Sequence, residues 1–342
     1  MVISTPVTII SGLARAARSG VLFKGGAVLE QMGRVHVMAF DKTGTVTLGE
    51  PEVTDVISFD GVDEEAVLAL AATLETRSDH PLARAIVARA GERGIPQLPL
   101  TNWMAVAGLG VRGTVGGRSV QVGDARLFGS LLAGFPDVAT ALANVRRQGK
   151  TAVLVGDEGR LLGIVALTDR ARADVRPALE ELRGLGVRRI VMLTGDNEAT
   201  AAALAEDVGI ADHRSGLLPA DKMSIVRDLR DDHCVVAMVG DGVNDGPALA
   251  AADVGVAMRA IGSDAALETA DVALMSDDLS RLPFAVRLSR RVLRIIRQNV
   301  ALSLDIKGVF LALTFLGLTT LWLAIVADMG ASLLVIANGL RL

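Results

Sequence analysis

The chain contains no tyrosine, and Phe and Trp together make up only 3% of it. Stacking platforms for nucleic-acid bases are therefore not expected. A single cysteine, Cys234, excludes an internal disulfide and a cysteine-cluster metal centre. It sits in the apolar run Cys234-Val235-Val236-Ala237-Met238-Val239, the setting of a buried structural thiol. Charge of neither sign dominates: 35 Lys and Arg against 39 Asp and Glu leave a net −4. That balance gives no reason to expect a nucleic-acid partner. No basic residue precedes the apolar opening Val2 to Ile10, and Arg15, Arg18 and Lys24 all follow it. A secretory signal has the opposite order. The opening stretch is also too short to span a bilayer, and it reads as the tail of a longer helix. Repeats and low-complexity tracts are absent. What the chain has in plenty is hydrophobicity, at 51% of its 342 residues, with a mean hydropathy of +0.44.

The stretch Val35-His36-Val37-Met38-Ala39-Phe40 has the length and character of a strand buried on both faces. Asp41-Lys42-Thr43-Gly44-Thr45-Val46-Thr47 follows at once. A carboxylate at the C-terminal edge of such a strand stands where open α/β sheets bind ligands. With a lysine, hydroxyls and a glycine around an anion, the motif suits an aspartate that attacks a phosphoryl group. By itself it could equally be a turn closing a strand.

Residues 50–163 read as an insert. Asp63 to Leu74 and Pro81 to Gly91 have helical spacing. A glycine-rich β-type stretch runs from Val106 through Gly108, Gly110, Gly113, Gly116 and Gly117 to Val122, and short apolar runs follow at Ala152–Val155 and Leu161–Ala166. From about 164 to 280 the pattern alternates strand, turn and helix. The strand candidates are Arg189–Leu193, Val235–Val239, Val254–Met258 and Asp271–Leu274. Such alternation argues for a doubly wound parallel sheet, of which the strand ending at Phe40 would be the first.

The last stretch has two parses. One is a single uncharged span from Gly308 to Ala327. The other, which fits better, is a hairpin of helices at about Asn299–Gly317 and Leu321–Leu340, turning at Leu318-Thr319-Thr320. Arginines 281, 287, 290, 291, 294 and 297 crowd its entry and Arg341 follows its exit, as for a hairpin with both ends cytoplasmic. Asp305, Lys307 and Asp328 then fall in or near the bilayer. Each would cost about 2.5–3.5 kcal/mol at the centre of a helix, so each needs a reason to be there.

Three further groups close strands or open helices. Thr194-Gly195-Asp196 follows Val191-Met192-Leu193, and its hydroxyl can donate to a phosphate oxygen. Lys222 opens a helix after Leu218-Pro219-Ala220-Asp221, and can neutralise phosphoryl charge. Asp241-Gly242-Val243-Asn244-Asp245 places two carboxylates on a glycine-containing loop, which suits Mg²⁺. Singly these are a cap, a solvated lysine and a turn. In this order, on the edges of one sheet, they form a specific combination.

That combination resembles the haloacid-dehalogenase-like phosphotransferases, and Asp41–Thr47 with Thr194–Asp196 and Asp241–Asp245 is similar to a P-type ATPase, a cation pump that phosphorylates its own aspartate. The resemblance implies that Asp41 takes the γ-phosphate of ATP. It implies that Asp41, the Thr43 carbonyl and Asp241 hold Mg²⁺, that Thr194 and Lys222 bind phosphoryl oxygens, and that Asn244 and Asp245 support them. Gly195 and Asp196 belong to the nucleotide-contacting loop, and Asp169 with Arg172 matches the family's Asp-x-x-Arg. Ser78-Asp79-His80-Pro81-Leu82 is similar to the His-Pro signature of the heavy-metal class, whose histidine packs near adenine; Glu75 stands at the matching upstream position. Gly108-Leu109-Gly110-Val111-Arg112-Gly113 matches that class's glycine loop, although alone such a motif is weak.

Asn299, Lys307 and Asp328-Met329-Gly330 resemble the zinc, cadmium and lead exporters, in which the aspartate ligates the transported metal and the lysine acts as counter-ion. Asp305 reads instead as an interfacial residue that snorkels. The resemblance implies these parts: 1–24 the end of a membrane helix and its extension, 25–49 and 164–282 the phosphorylation domain, 50–163 an inserted α+β nucleotide-binding domain, and 283–342 two membrane helices. The family's Cys-Pro-Cys motif and actuator domain are not in the chain. It is therefore expected to be the C-terminal half of a multi-pass plasma-membrane pump, with its catalytic parts cytoplasmic and a bilayer as its partner. The other half would be encoded separately, or the chain would be a truncated or internal-start product, and the chain alone would be competent for nucleotide binding and partial phosphorylation at most. Two alternatives stay open at this point: a soluble phosphatase of the same superfamily, and a non-catalytic membrane-bound nucleotide-binding relic.

Overall fold

A computed structural model describes residues 4–157, 159–196, 198–231, 234–241, 245–258, 268–318 and 320–342. The chain divides into two compact units. The first joins Met1–Asp41, Ala173–Leu193 and Leu217–Leu342; the second joins Lys42–Arg172 and Thr194–Gly216.

The first unit is organised on strands that stand in the order Val21–Phe23, Val272–Leu274, Val254–Ala257, Val235–Gly240, Val35–Asp41, Arg189–Leu193. Neighbours are parallel except the first pair. Val35–Asp41 lies inside the sheet, which is why its sequence is apolar on both faces: Val35, Met38, Ala39 and Phe40 are fully buried. On one face Val37 and Ala39 pack with Val191, Leu193, Met238, Leu249 and Val226. All four expected strands after residue 164 form, within a residue or two of the expected bounds. One expectation fails, because Val35–Asp41 is not the first strand. Val21–Phe23 precedes it in the chain and pairs antiparallel at the sheet's edge, with Val21 opposite Leu274.

The second unit carries an antiparallel sheet in the order Thr47–Ser58, Arg160–Ala171, Thr151–Asp157, Arg118–Gly123, Gly110–Val115, Leu100–Val106. Its two faces bury different partners. Val153 and Val155 share a core with Val67, Leu68 and Leu74 of the helix Glu64–Glu75 and Ile86 of the helix Pro81–Glu92. Leu154 lies between them in sequence and points to the other core, with Phe128 and with Val138, Leu142 and Val145 of the helix Pro136–Arg147. The period of two along that strand divides the unit into its layers.

Returning to the first unit, Arg281–Phe315 is one helix of 35 residues, starting well before the expected Asn299. Leu321–Gly339 follows it. Among the described residues no helix is long and apolar enough to cross a membrane, so the expected pair of spans is not confirmed. Arginines occupy the first half of the long helix, and Asp305, Lys307 and Asp328 dilute the apolar remainder. The helix Ser4–Arg18 packs closely with both. A Cβ on Gly12 would come 2.7 Å from Val292 Cγ2, and one on Gly339 would come 2.6 Å from Thr8 Oγ1. Small residues permit that approach.

Candidate active site

In the first unit, the strand Val35–Asp41 delivers Asp41 to its C-terminal edge, where the residue is 4% exposed. The helix Pro219–Asp231 begins at a proline, and in its first turn the Asp221 carboxylate accepts the Leu218 N–H at 2.9 Å. Lys222 follows, and its Nζ lies 2.5 Å from Asp41 Oδ1 and 2.8 Å from Asp245 Oδ1. Asp245 stands at the N-cap of the helix Gly246–Ala251 but makes no side-chain cap; its Oδ1 goes to Lys222 instead. Its Oδ2 is buried with no protein hydrogen bond.

Burial raises the Asp41 carboxyl to about 7, with Asp245 and Asp241 adding to the rise and Lys222 opposing it. Burial alone would lower the Lys222 ammonium, but Asp41 and Asp245 outweigh it and raise it. Two carboxylates thus share one lysine while the charge of Asp241 is also felt at Asp41, a negative excess in a desolvated place. A hard divalent cation fits this donor set. Asp41 and Asp241 can hold it through oxygen, and bound there it would supply the missing positive charge. Asn244 lies outside the described residues, as do Gly242 and Val243.

In the second unit, Lys42–Val46 forms a tight turn with Gly44 at φ +71°, a conformation that favours glycine. Thr43 lies in it at φ −76°, ψ 126°. Asp169 and Arg172 shape this turn. The Thr47 hydroxyl is 2.6 Å from Asp169 Oδ2, and the Gly49 N–H donates to Asp169 Oδ1 at 3.0 Å. Buried Arg172 donates from Nε to Thr47 O and from Nη2 to Gly44 O, each at 3.1 Å. Lys42 pairs with Asp196 Oδ2 at 2.8 Å. The Thr194 hydroxyl oxygen accepts the Asp196 N–H at 3.0 Å, which leaves its hydrogen to donate; Gly195 lies between them.

The same unit holds a cavity of about 590 Å³ lined by Glu75, Ser78, His80, Gly108, Gly110 and Val111 among others. The volume suits a nucleoside-sized ligand. His80 caps the helix Pro81–Glu92, its Nδ1 accepting the Leu82 N–H at 3.2 Å. That bond assigns the ring proton to Nε2, which stays a donor. Burial raises the Glu75 carboxyl to about 7, against a hydrogen bond from Ser78. A protonated Glu75 can donate as well as accept.

Lys307 Nζ and Asp328 Oδ1 lie 3.8 Å apart on exposed faces of the two C-terminal helices, a loose ion pair. Asp305 is exposed. Asn299 is buried and donates to Val335 O at 3.1 Å, while Asn338 donates to Asn299 Oδ1 at 2.8 Å. Among the described residues no three His, Cys, Asp or Glu side chains gather as a metal-binding group.

Residues 35–253 match the haloacid dehalogenase-like hydrolase family. Over 345 residues the chain is 47% identical to the zinc/cadmium/lead-transporting P-type ATPase of Escherichia coli (strain K12), with 100% of this chain and 46% of that protein covered. A crystal structure of a zinc-transporting PIB-type ATPase in the E2.Pi state is 46% identical with TM-score 0.84, covering 99% of this chain and 55% of that one. The catalytic domain of a CPx-ATPase is 31% identical with TM-score 0.67, covering 80% of this chain and 98% of that one.

The chain belongs to the P-type ATPases, within the haloacid dehalogenase-like hydrolases.

It spans about half the length of the curated relatives it matches. Some features of this P-type ATPase chain are not apparent in its sequence. Gly123, Asp124, Arg126 and Trp103 also line the cavity. Gly123 sits where a Cβ would come 2.2 Å from Leu109 O. Asp124 binds both the backbone N–H of Arg126, at 2.9 Å, and its Nε, at 2.7 Å. The one signal in the sequence is the Gly-Asp pair after Val120-Gln121-Val122, which a turn explains equally well. Tertiary folding places it beside the glycine turn at Gly108–Gly110.

Proposed function

We propose that the chain is the phosphorylating and nucleotide-binding part of an ATP-driven exporter of soft divalent metal, Zn²⁺, Cd²⁺ or Pb²⁺. The observation that carries this reading is Asp41, buried at a strand's C-terminal edge with Lys222 at 2.5 Å and with Asp241 and Asp245 beside it. A carboxylate oxygen of Asp41 attacks the γ-phosphorus of ATP, the bond to the β,γ-bridging oxygen breaks, and ADP leaves with that electron pair. Lys222 holds Asp41 in place and offsets the negative charge that gathers around it. A magnesium ion at Asp41 and Asp241 would neutralise charge on the transferring phosphoryl group. Glu75 and the His80 Nε2 proton supply edge-directed hydrogen bonds for a base in the cavity, with Gly108 and Gly110 allowing close approach. Water then hydrolyses the aspartyl phosphate in the complete pump.

The transported cation is proposed to meet Asp328, with Lys307 as counter-charge when the site is empty. The resemblance and the names of the relatives support this, as does the facing of Lys307 and Asp328. A bilayer location is proposed on the same footing, supported by the exposed Phe315, Trp322, Leu333 and Leu334 of the C-terminal helices. Incubation with γ-labelled ATP and Mg²⁺ tests the reading. The expected product is an acid-stable, hydroxylamine-labile label that is absent in Asp41→Asn. A label that persists in Asp41→Asn would refute it.

A further inference from the structure

The loop Thr194–Asp196 is strapped from one side by residues 213–216. Its first N–H, on Thr194, donates to Arg214 O at 2.9 Å, and its last carbonyl, on Asp196, accepts the Gly216 N–H at 2.7 Å. The two side chains that flank Arg214 both end on one carboxylate. His213 Nε2 lies 2.9 Å from Glu198 Oε1, and the Ser215 hydroxyl donates to Glu198 Oε2 at 2.5 Å. Glu198 is the first residue of the helix Glu198–Val208, so the strap is fastened to a rigid element. The loop in turn carries two chemically loaded side chains. Thr194 keeps its hydroxyl hydrogen free of Asp196, and Asp196 holds Lys42, the residue that follows Asp41 in the chain.

We propose that Glu198 is a positioning residue for phosphoryl transfer. It fastens His213 and Ser215, and through the backbone between and beyond them it sets where Thr194 and Asp196 stand. This rests on the reading of Asp41 as the nucleophile. Glu198 touches no reacting atom; it acts through the strap. The Glu198 carboxylate is largely exposed while His213 and Ser215 are half-buried, and an ion pair with one end in water adds little to stability. The effect is therefore expected in geometry, where a displacement of about 1 Å can cost about 100-fold in rate.

The test uses the full chain and three proteins: wild type, Glu198→Ala and Glu198→Gln. Hydrogen exchange at the Thr194 and Gly216 amides reports the strap directly. Single-turnover labelling by ATP with Mg²⁺ reports transfer, and ATP titration reports binding. Glu198→Ala is expected to speed exchange at both amides and slow labelling by about tenfold or more at saturating ATP. Its ATP affinity should fall less than its labelling rate, because the residues lining the nucleoside-sized cavity lie away from the strap. Glu198→Gln keeps one acceptor oxygen and adds a donor, so it should recover most of both losses. Unchanged exchange in Glu198→Ala overturns the proposal, as does a loss confined to ATP affinity. Wild-type chain that takes no label overturns the nucleophile reading instead, while exchange still judges the strap.

Discussion

Lys222 bridges two carboxylates with one ammonium, so its removal leaves Asp41 and Asp245 facing each other in a desolvated place. Lys222→Ala is expected to lower the rate of Asp41 labelling by about 100-fold or more, measured in a single turnover with circular dichroism as a folding control. Lys222→Arg should not restore it fully, since a planar guanidinium cannot replace a compact point charge at both oxygens. Glu75 gives a pH prediction. Burial raises its carboxyl from 4.5 to about 7. Between those values the folded chain keeps a proton that the unfolded chain has released. The stability this represents, on the order of 3 kcal/mol, is complete below pH 4.5 and is lost as pH rises through 7. Urea midpoints at pH 5 and pH 8 should therefore fall further in the wild type than in Glu75→Gln. Equal falls in the two proteins would show that Glu75 is not held neutral.

At the scale of elements, the turn at Gly108–Gly110 meets the end of the strand Arg118–Gly123 with no room for a side chain. A Cβ on Gly110 would lie 2.2 Å from Val122 O, and one on Gly123 would lie 2.2 Å from Leu109 O. Gly108 differs: its φ is +70°, but nothing lies within 4 Å of its Cβ position. Gly108→Ala should cost about 1–2 kcal/mol of backbone strain. Gly123→Ala should lower the melting temperature more and also weaken ATP binding, because the two segments must part. Equal melting temperatures in the two variants would contradict the close approach. The same elements show how far the sequence is readable. The helices Glu64–Glu75 and Pro81–Glu92 announce themselves through periodic apolar residues and a His-Pro start. Val35–Asp41 does so through an unbroken apolar run. Val21–Phe23 carries too few residues to show a period and exists because Val272–Leu274 pairs with it. Thr47–Ser58 is masked by Gly49 and Pro51, where its register with the neighbouring strand shifts. At the site, the approach of Asp41 to Lys222 across 181 residues follows only from the family resemblance, because no local pattern encodes it. The Glu198 fastening, two exposed hydrogen bonds on a helix start, has no signature in sequence at all.

Over the whole chain, the apolar surplus concentrates on the two C-terminal helices, where Phe315 is 85% and Trp322 77% exposed. Solitary exposed hydrophobic residues are ordinary, but a row along paired helices calls for a covering phase. Trp103 and Trp322 are the chain's only tryptophans. In a Trp103→Phe variant, Trp322 emission is expected to shift to the blue when phospholipid vesicles are added. An unmoved spectrum would remove the support for a bilayer location.

The separation of Asp41 from its partners also bears on how the protein is made. At about 5–20 residues per second, a ribosome finishes Asp41 roughly ten seconds or more before it reaches Lys222. The strands flanking Val35–Asp41, Arg189–Leu193 and Val235–Gly240, are likewise translated late. The strands from Thr47 to Ala171 need only one another. Synthesis thus favours an order in which the cavity lined by Glu75 and His80 matures first, and Asp41 stays without its lysine until Lys222 has been added. Chains arrested near residue 200 should then resist protease over 47–171 while remaining open around Asp41. On the proposed reading, an immature chain of this kind could hold nucleotide without being able to spend it.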